Sequence, residues 1–155
     1  MKYKRLGTSE LKELENEFII FLSSAQITGL DWDKMKKNEQ EKAEELIDVF
    51  SDLVYEKVMS KIFFLEFRDK KELNIFHFED DKIVLNGIRM KEDSSIDLLS
   101  DDLFSEWNAN KSNEISIIKT EKVYIKERGI ELFEMLEKGC YITDDKLFKA
   151  IADLY

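Results

Sequence analysis

From Asn38 to Phe67 the chain places apolar residues at Ala43, Leu46, Ile47, Phe50, Leu53, Val54, Val58, Ile62 and Leu65, at intervals of mostly three and four. That is the period of one helix face. Glu41, Lys42, Glu44, Glu45, Asp48, Asp52, Glu56, Lys57 and Lys61 lie between them as a solvated face. Neither glycine nor proline interrupts the run. The spacing predicts one long amphipathic helix against which the rest of the chain packs. Its end, Phe63-Phe64-Leu65-Glu66-Phe67, suits a buried helix and a strand equally, because periodicity does not arbitrate over so short a run. Val58, Ile62 and Leu65 keep the helical face, so the helix is expected to reach about Phe67.

The flanking segments follow from capping and period. Residues 1–7 read as an extended arm with Tyr3 and Leu6 as anchors. Thr8 or Ser9 is expected to cap a helix that carries Leu11, Leu14, Phe18, Phe21, Leu22 and Ala25 on one face and stops near Gln26. Asp31 to Lys37 predicts a short helical piece with Trp32 and Met35 on one face, and Asn38 caps the long helix. From Glu72 the period changes to two. Leu73 to Phe78 and Lys82 to Met90, joined by Glu79-Asp80-Asp81, predict a hairpin. In the polar stretch 91–113, Ser100 or Asp101 is expected to cap a short helix through Leu103, Phe104 and Trp107. Glu114 to Val123 is a third strand, Lys126 to Lys138 a helix closed by Gly139, and Cys140 to Ile142 an extended link. Thr143 is expected to cap a last helix through Leu147, Phe148, Ile151 and Leu154. The fold class is α+β: N-terminal helices including the long one, a small antiparallel sheet in the middle, and two C-terminal helices.

Its 155 residues fit a single domain, 1–155, large enough to bury roughly 68–70% of its unfolded surface without a disulfide or metal. The formal net charge is −10. Duplex nucleic acid and anionic membranes attract cationic surfaces, so the field opposes both. Another protein is the expected partner. No apolar run approaches a membrane span, and no apolar leader core follows the basic start, so a cytoplasmic location is expected. The oligomeric state is not written in the sequence.

Candidate chemistry is sparse. His77 is the one histidine; it is the candidate general base, or else a half-buried strand residue. Cys140, the one cysteine, lacks a neighbouring base and reads as a structural thiol. Carboxylates are abundant, but a di-iron site on helices needs histidines that are absent there. The acidic pairs do not match an EF-hand loop. No glycine-rich phosphate loop and no nucleophile elbow occurs. No cofactor and no metal is therefore expected. Lys34, Lys36 and Lys37 flank Trp32, and Lys119, Lys122, Lys126 and Arg128 flank Tyr124, but acids interleave with both sets. They read as solvated faces before they read as a nucleic-acid track.

Met1-Lys2-Tyr3-Lys4-Arg5-Leu6, Phe50-Ser51-Asp52-Leu53-Val54 and Gly139-Cys140-Tyr141-Ile142-Thr143-Asp144 resemble a domain-of-unknown-function family of short bacterial proteins, found chiefly in the Bacteroidota. The resemblance spans the whole chain and implies a stand-alone cytoplasmic protein. It transfers no activity and gives no residue a role. The expected function is that of a non-enzymatic acidic adaptor or regulator, with Trp32, Lys36 and Trp107 as the candidate interaction surface. The alternative is a small hydrolase-like enzyme using His77 and acidic residues. A weaker one is an acid-rich surface that docks on a basic protein, with binding that collapses in salt.

Overall fold

The structure is a computed structural model that describes residues 1–94, 97–99 and 114–154. The helix expected after Ser100, and Trp107 with it, lies outside the described residues. The chain divides into two compact units, residues 1–59 and 60–155.

The first unit is helical: α1 (Thr8–Glu13), α2 (Glu15–Ser24), α3 (Gly29–Asn38) and α4 (Gln40–Met59). The single helix expected up to Gln26 is two helices, because the backbone departs from helical angles at Leu14. Gly7, not Thr8 or Ser9, is the N-cap of α1, and its N–H donates to Glu10 Oε2 at 2.7 Å. Asn38 closes α3 instead of capping α4.

The carboxylate row of α4 is less solvated than its sequence implies. Asp48, Asp52 and Glu56 recur every four residues and form a seat for the N-terminal arm. The backbone N–H groups of Lys2 and Tyr3 donate to the two oxygens of Asp52 at 2.7 and 2.8 Å. Arg5 forks onto Asp48, with Nη2 to Oδ2 at 2.9 Å. Lys2 Nζ and the Tyr3 hydroxyl both donate to Glu56. Leu6 is buried, and its N–H donates to Ser51 Oγ at 3.0 Å.

The Arg5 hydrogen bond holds the Asp48 carboxyl below its usual range, and the Lys2 hydrogen bond does the same for Glu56. A depressed folded-state pKa contributes stability above the ordinary carboxyl pKa and loses it as pH falls through the depressed value. The arm held by Asp48 and Glu56 is therefore expected to stay seated above about pH 4, the ordinary carboxyl range, and to loosen progressively as pH falls below it, with the exchange protection of the Lys2 and Tyr3 amides as the reporter. Asp52→Ala is expected to remove that protection at every pH. Hydrogen exchange with mass-spectrometric readout checks both; protection that ignores pH and Asp52 alike would rule the seat out.

Residues 63–67 correct the sequence reading. The long helix ends at Met59, and Phe64–Arg68 is strand β1. Leu65 and Glu66 are adjacent and both buried, which a strand with two covered faces permits. The strand pairs on both edges, with β2 (Glu72–Phe78) and with β5 (Tyr141–Thr143), and those partners override the local helical period.

The second unit is an antiparallel sheet of β1, β2 (Glu72–Phe78), β3 (Lys82–Met90), β4 (Ile115–Val123) and β5 (Tyr141–Thr143), with helices α5 (Arg128–Glu137) and α6 (Lys146–Ala152). The strand order is β4-β3-β2-β1-β5. The expected hairpin is β2–β3, and the expected link after Cys140 is an edge strand. Thr143 ends β5, so the N-cap of α6 falls to Asp145. Leu73 pairs with Ile88, and Ile88 with Ile117, so these three share a face. On that face Leu73, Ile75, Ile88, Leu98 and Ile151 form the core, flanked by Phe64, Ile115, Ile117, Leu147 and Phe148. On the other face Phe76, Ile83 and Leu85 meet Met135 of α5 around a space of about 220 Å³. Among the described residues, no helix is long and apolar enough to cross a membrane.

Candidate functional site: an apolar groove between α2 and α3

Two cap motifs set the angle between α2 and α3. At the end of α2, the Gln26 N–H donates to Ser23 C=O at 3.0 Å and the Ile27 N–H to Leu22 C=O at 2.9 Å. This is a Schellman closure, with Gln26 at φ 61° in the position usually held by glycine. One residue later Thr28 caps α3. Its Oγ1 accepts from the Asp31 N–H at 3.1 Å, while Asp31 Oδ2 accepts from the Thr28 N–H and hydroxyl. Those bonds from Thr28 hold the Asp31 carboxyl below its usual range. The chain thus turns within a few residues from α2 into α3.

The turn brings Trp32 onto Phe18. Their ring centroids are 5.1 Å apart at 79°, an edge-to-face contact. Phe18 and Phe21 both reach Phe50 of α4, at 5.0 and 5.4 Å. Outside this cluster runs a groove of about 350 Å³. Phe18, Ile19, Leu22, Ile27 and Trp32 supply its apolar wall, and Glu15, Asp33 and Lys36 lie on its rim. Ile19 is 52% exposed, and Ile20 beside it 68%. Lys36 Nζ lies 5.8 Å from the Trp32 ring centroid and 3.4 Å from Asp33 Oδ1. The groove presents an aromatic flank, branched apolar side chains and a charged rim. It offers burial to an apolar group and no chemistry for a reaction.

Two of the three expected interaction residues, Trp32 and Lys36, meet at this groove; Trp107 lies outside the described residues. Phe18, Ile19 and Ile27 were missed by sequence reasoning. The signal was present: Phe18 to Leu22 is five apolar residues in succession, and a helix buried on one stripe cannot hide all of them.

The other candidates lie elsewhere. His77 stacks on Phe64 with centroids 4.4 Å apart at 10°, and meets Phe148 edge-on at 5.4 Å. Its Nδ1 lies 3.6 Å from Glu79. These rings make it part of the packing under α6. Burial pushes the Cys140 thiol up from its ordinary pKa, away from the reactive thiolate. In the second basic set, Lys122 pairs with Glu131 and Lys126 with Glu134, while Arg128 donates to the carbonyls of Ile62 and Phe78. The buried Glu66 accepts from Arg68 and from the Tyr141 hydroxyl. Among the described residues, no three His, Cys, Asp or Glu side chains gather where they could hold a metal ion.

Fold and groove together define an α+β protein with a helical N-terminal unit that carries an open apolar groove. The chain belongs to a family of unknown function, DUF6495, whose family model matches residues 1–155. No curated protein and no solved structure matches it.

Proposed function

We propose that this chain is a non-enzymatic, cytoplasmic protein-binding module. Its α2–α3 groove takes an apolar anchor side chain from a partner protein. The observation that carries this reading is the apolar wall formed by exposed Ile19 and half-buried Trp32 beside the Phe18 cluster. An aromatic in a pocket with a polar rim is the anatomy of a binding hot spot. The net charge of −10 and the acids Glu15 and Asp33 on the rim favour basic residues beside the partner's anchor. The same field disfavours nucleic acid.

The test is site-specific photo-crosslinking in cells from a photoreactive residue at Ile19, with Lys12 on α1 as the exposed control. A single protein adduct from position 19, absent from position 12, supports the reading. Trp32→Ala is expected to weaken that adduct about tenfold or more, the loss typical of a hot-spot aromatic. Trp32→Phe is expected to retain most of it. Equal labelling from both positions, or an adduct indifferent to Trp32→Ala, overturns the proposal.

A further inference from the structure

Strand β4 lies at one end of the sheet, and among the described residues no strand pairs with its outer edge. It is nine residues long, without proline. Long open edges recruit another strand unless charge, a bulge or a cover prevents it. Here the charges are Lys119, Glu121 and Lys122, and their order decides what the edge accepts.

We infer that β4 pairs antiparallel with β4 of a second copy, about a two-fold axis at Thr120, joining two five-stranded sheets into one. In that register Thr120 faces its own copy. Lys119 faces Glu121 of the other chain, and Glu121 faces Lys119, so one axis generates two opposite-charge pairs. Further out on the same face Ile117 meets Val123. Val123, at the end of the strand, is an apolar side chain left 73% exposed. Ile117 already packs on the core, so the paired side chains extend it across the axis. On the other face Ile118 meets Lys122.

Sliding the register by two residues in either direction destroys the match. One slide sets Lys119 against Lys119, the other Glu121 against Glu121. Like charges directly opposite are destabilising, so the pattern specifies one register and rejects its neighbours. Glu121 also takes Lys82 of its own chain at 3.0 Å. The incoming lysine then adds a second cation to a carboxylate already held on the strand face. The edge thus fits a second copy of itself by charge and by apolar pairing together.

The test is sedimentation equilibrium of the full chain, with two independent probes of register. The wild type is expected to be a dimer. Glu121→Lys is expected to weaken association tenfold or more, since two lysines then face each other on both sides of the axis. Lys119→Glu is expected to do the same, and the combined charge swap Lys119→Glu with Glu121→Lys to restore the dimer. Circular dichroism checks that each variant keeps its sheet. In a Cys140→Ser background, Thr120→Cys is expected to form a disulfide-linked dimer under mild oxidation, and Ser116→Cys is not. A wild type that stays monomeric at its highest soluble concentration overturns the inference. So does a dimer indifferent to both charge reversals, or one that crosslinks equally well from position 116.

Discussion

Phe78→Ala is expected to destabilise the protein by about 4 kcal/mol, near the upper end of large-to-small core substitutions. Phe78 is the largest fully buried side chain in the second unit. Its ring lies 6.4 Å from that of Tyr124 at 26° and beneath the Arg128 guanidinium at 6.0 Å. The cost of such a truncation depends on how far the surroundings collapse into the space. Here they are held. The Phe78 N–H donates to the Phe63 carbonyl at 2.8 Å, the Phe78 carbonyl accepts from Arg128 at 3.1 Å, and the Tyr124 hydroxyl donates to the Glu79 carbonyl at 2.7 Å. None of these bonds needs the Phe78 ring, so they survive its loss and keep the space open. Phe78→Leu retains most of the volume and is expected to cost about 1–1.5 kcal/mol. Urea denaturation at unchanged m-value measures both. A second readout is spectroscopic. Burial pushes the Tyr124 phenol up to about 12. Water entering beside it is expected to bring its alkaline absorbance titration back toward the ordinary tyrosine value. A loss below about 1 kcal/mol for Phe78→Ala would mean that the site collapses after all.

The parts of the fold legible in the sequence are those whose cause is local. The period of two announces β2 and β3, and the acidic link Asp80-Asp81 forms the tight reversal closed by the Glu79 N–H on the Lys82 carbonyl. Gly139 announces the end of α5, where it sits at φ 109°. The stop expected near Gln26 is also found, but Gln26 itself holds the left-handed position there, a geometry that a non-glycine residue does not announce. Residues 63–67 went wrong for a different reason. Their period continues the helix, but β2 and β5 give β1 a ladder on each edge, and β5 is a three-residue strand some seventy positions away. The row Asp48, Asp52 and Glu56 looked like a solvated face because its partners are the N-terminal arm. At the groove, Trp32 and Lys36 were visible as an aromatic among lysines. The run Phe18 to Leu22 announced an exposed apolar residue on α2, but which of the five faces the groove depends on where α3 comes to rest.

Gly87→Ala is expected to cost about 2 kcal/mol, against the sign that backbone propensity alone would give. Gly87 lies in mid-strand and has no positive φ, so alanine meets no backbone penalty there. Replacing a glycine inside a strand ordinarily stabilises by about 0.5–1 kcal/mol, because the unfolded chain loses freedom. The neighbours reverse the sign. Gly87 pairs directly with Asn74. A Cβ on Gly87 would fall 2.7 Å from Asn74 Oδ1 and 3.1 Å from Arg89 Nη1. Those two atoms are hydrogen-bonded to each other at 2.6 Å across the space that glycine leaves. Glu72 completes the set, accepting from Asn74 Nδ2 at 3.3 Å and pairing with Arg89 Nε at 3.3 Å. Asn74 is buried, so an amide pushed off these partners finds no water in exchange, and a stranded buried polar group costs about 1–3 kcal/mol. The double mutant separates the two causes. In an Asn74→Ala background the obstructing oxygen is gone, and Gly87→Ala is expected to become neutral or stabilising. The two substitutions are therefore strongly non-additive, with a coupling of about 2 kcal/mol in a urea-denaturation cycle. Stabilisation by Gly87→Ala in the otherwise native chain would sink the account, and additivity of the pair would show that Asn74 is not what the glycine makes room for.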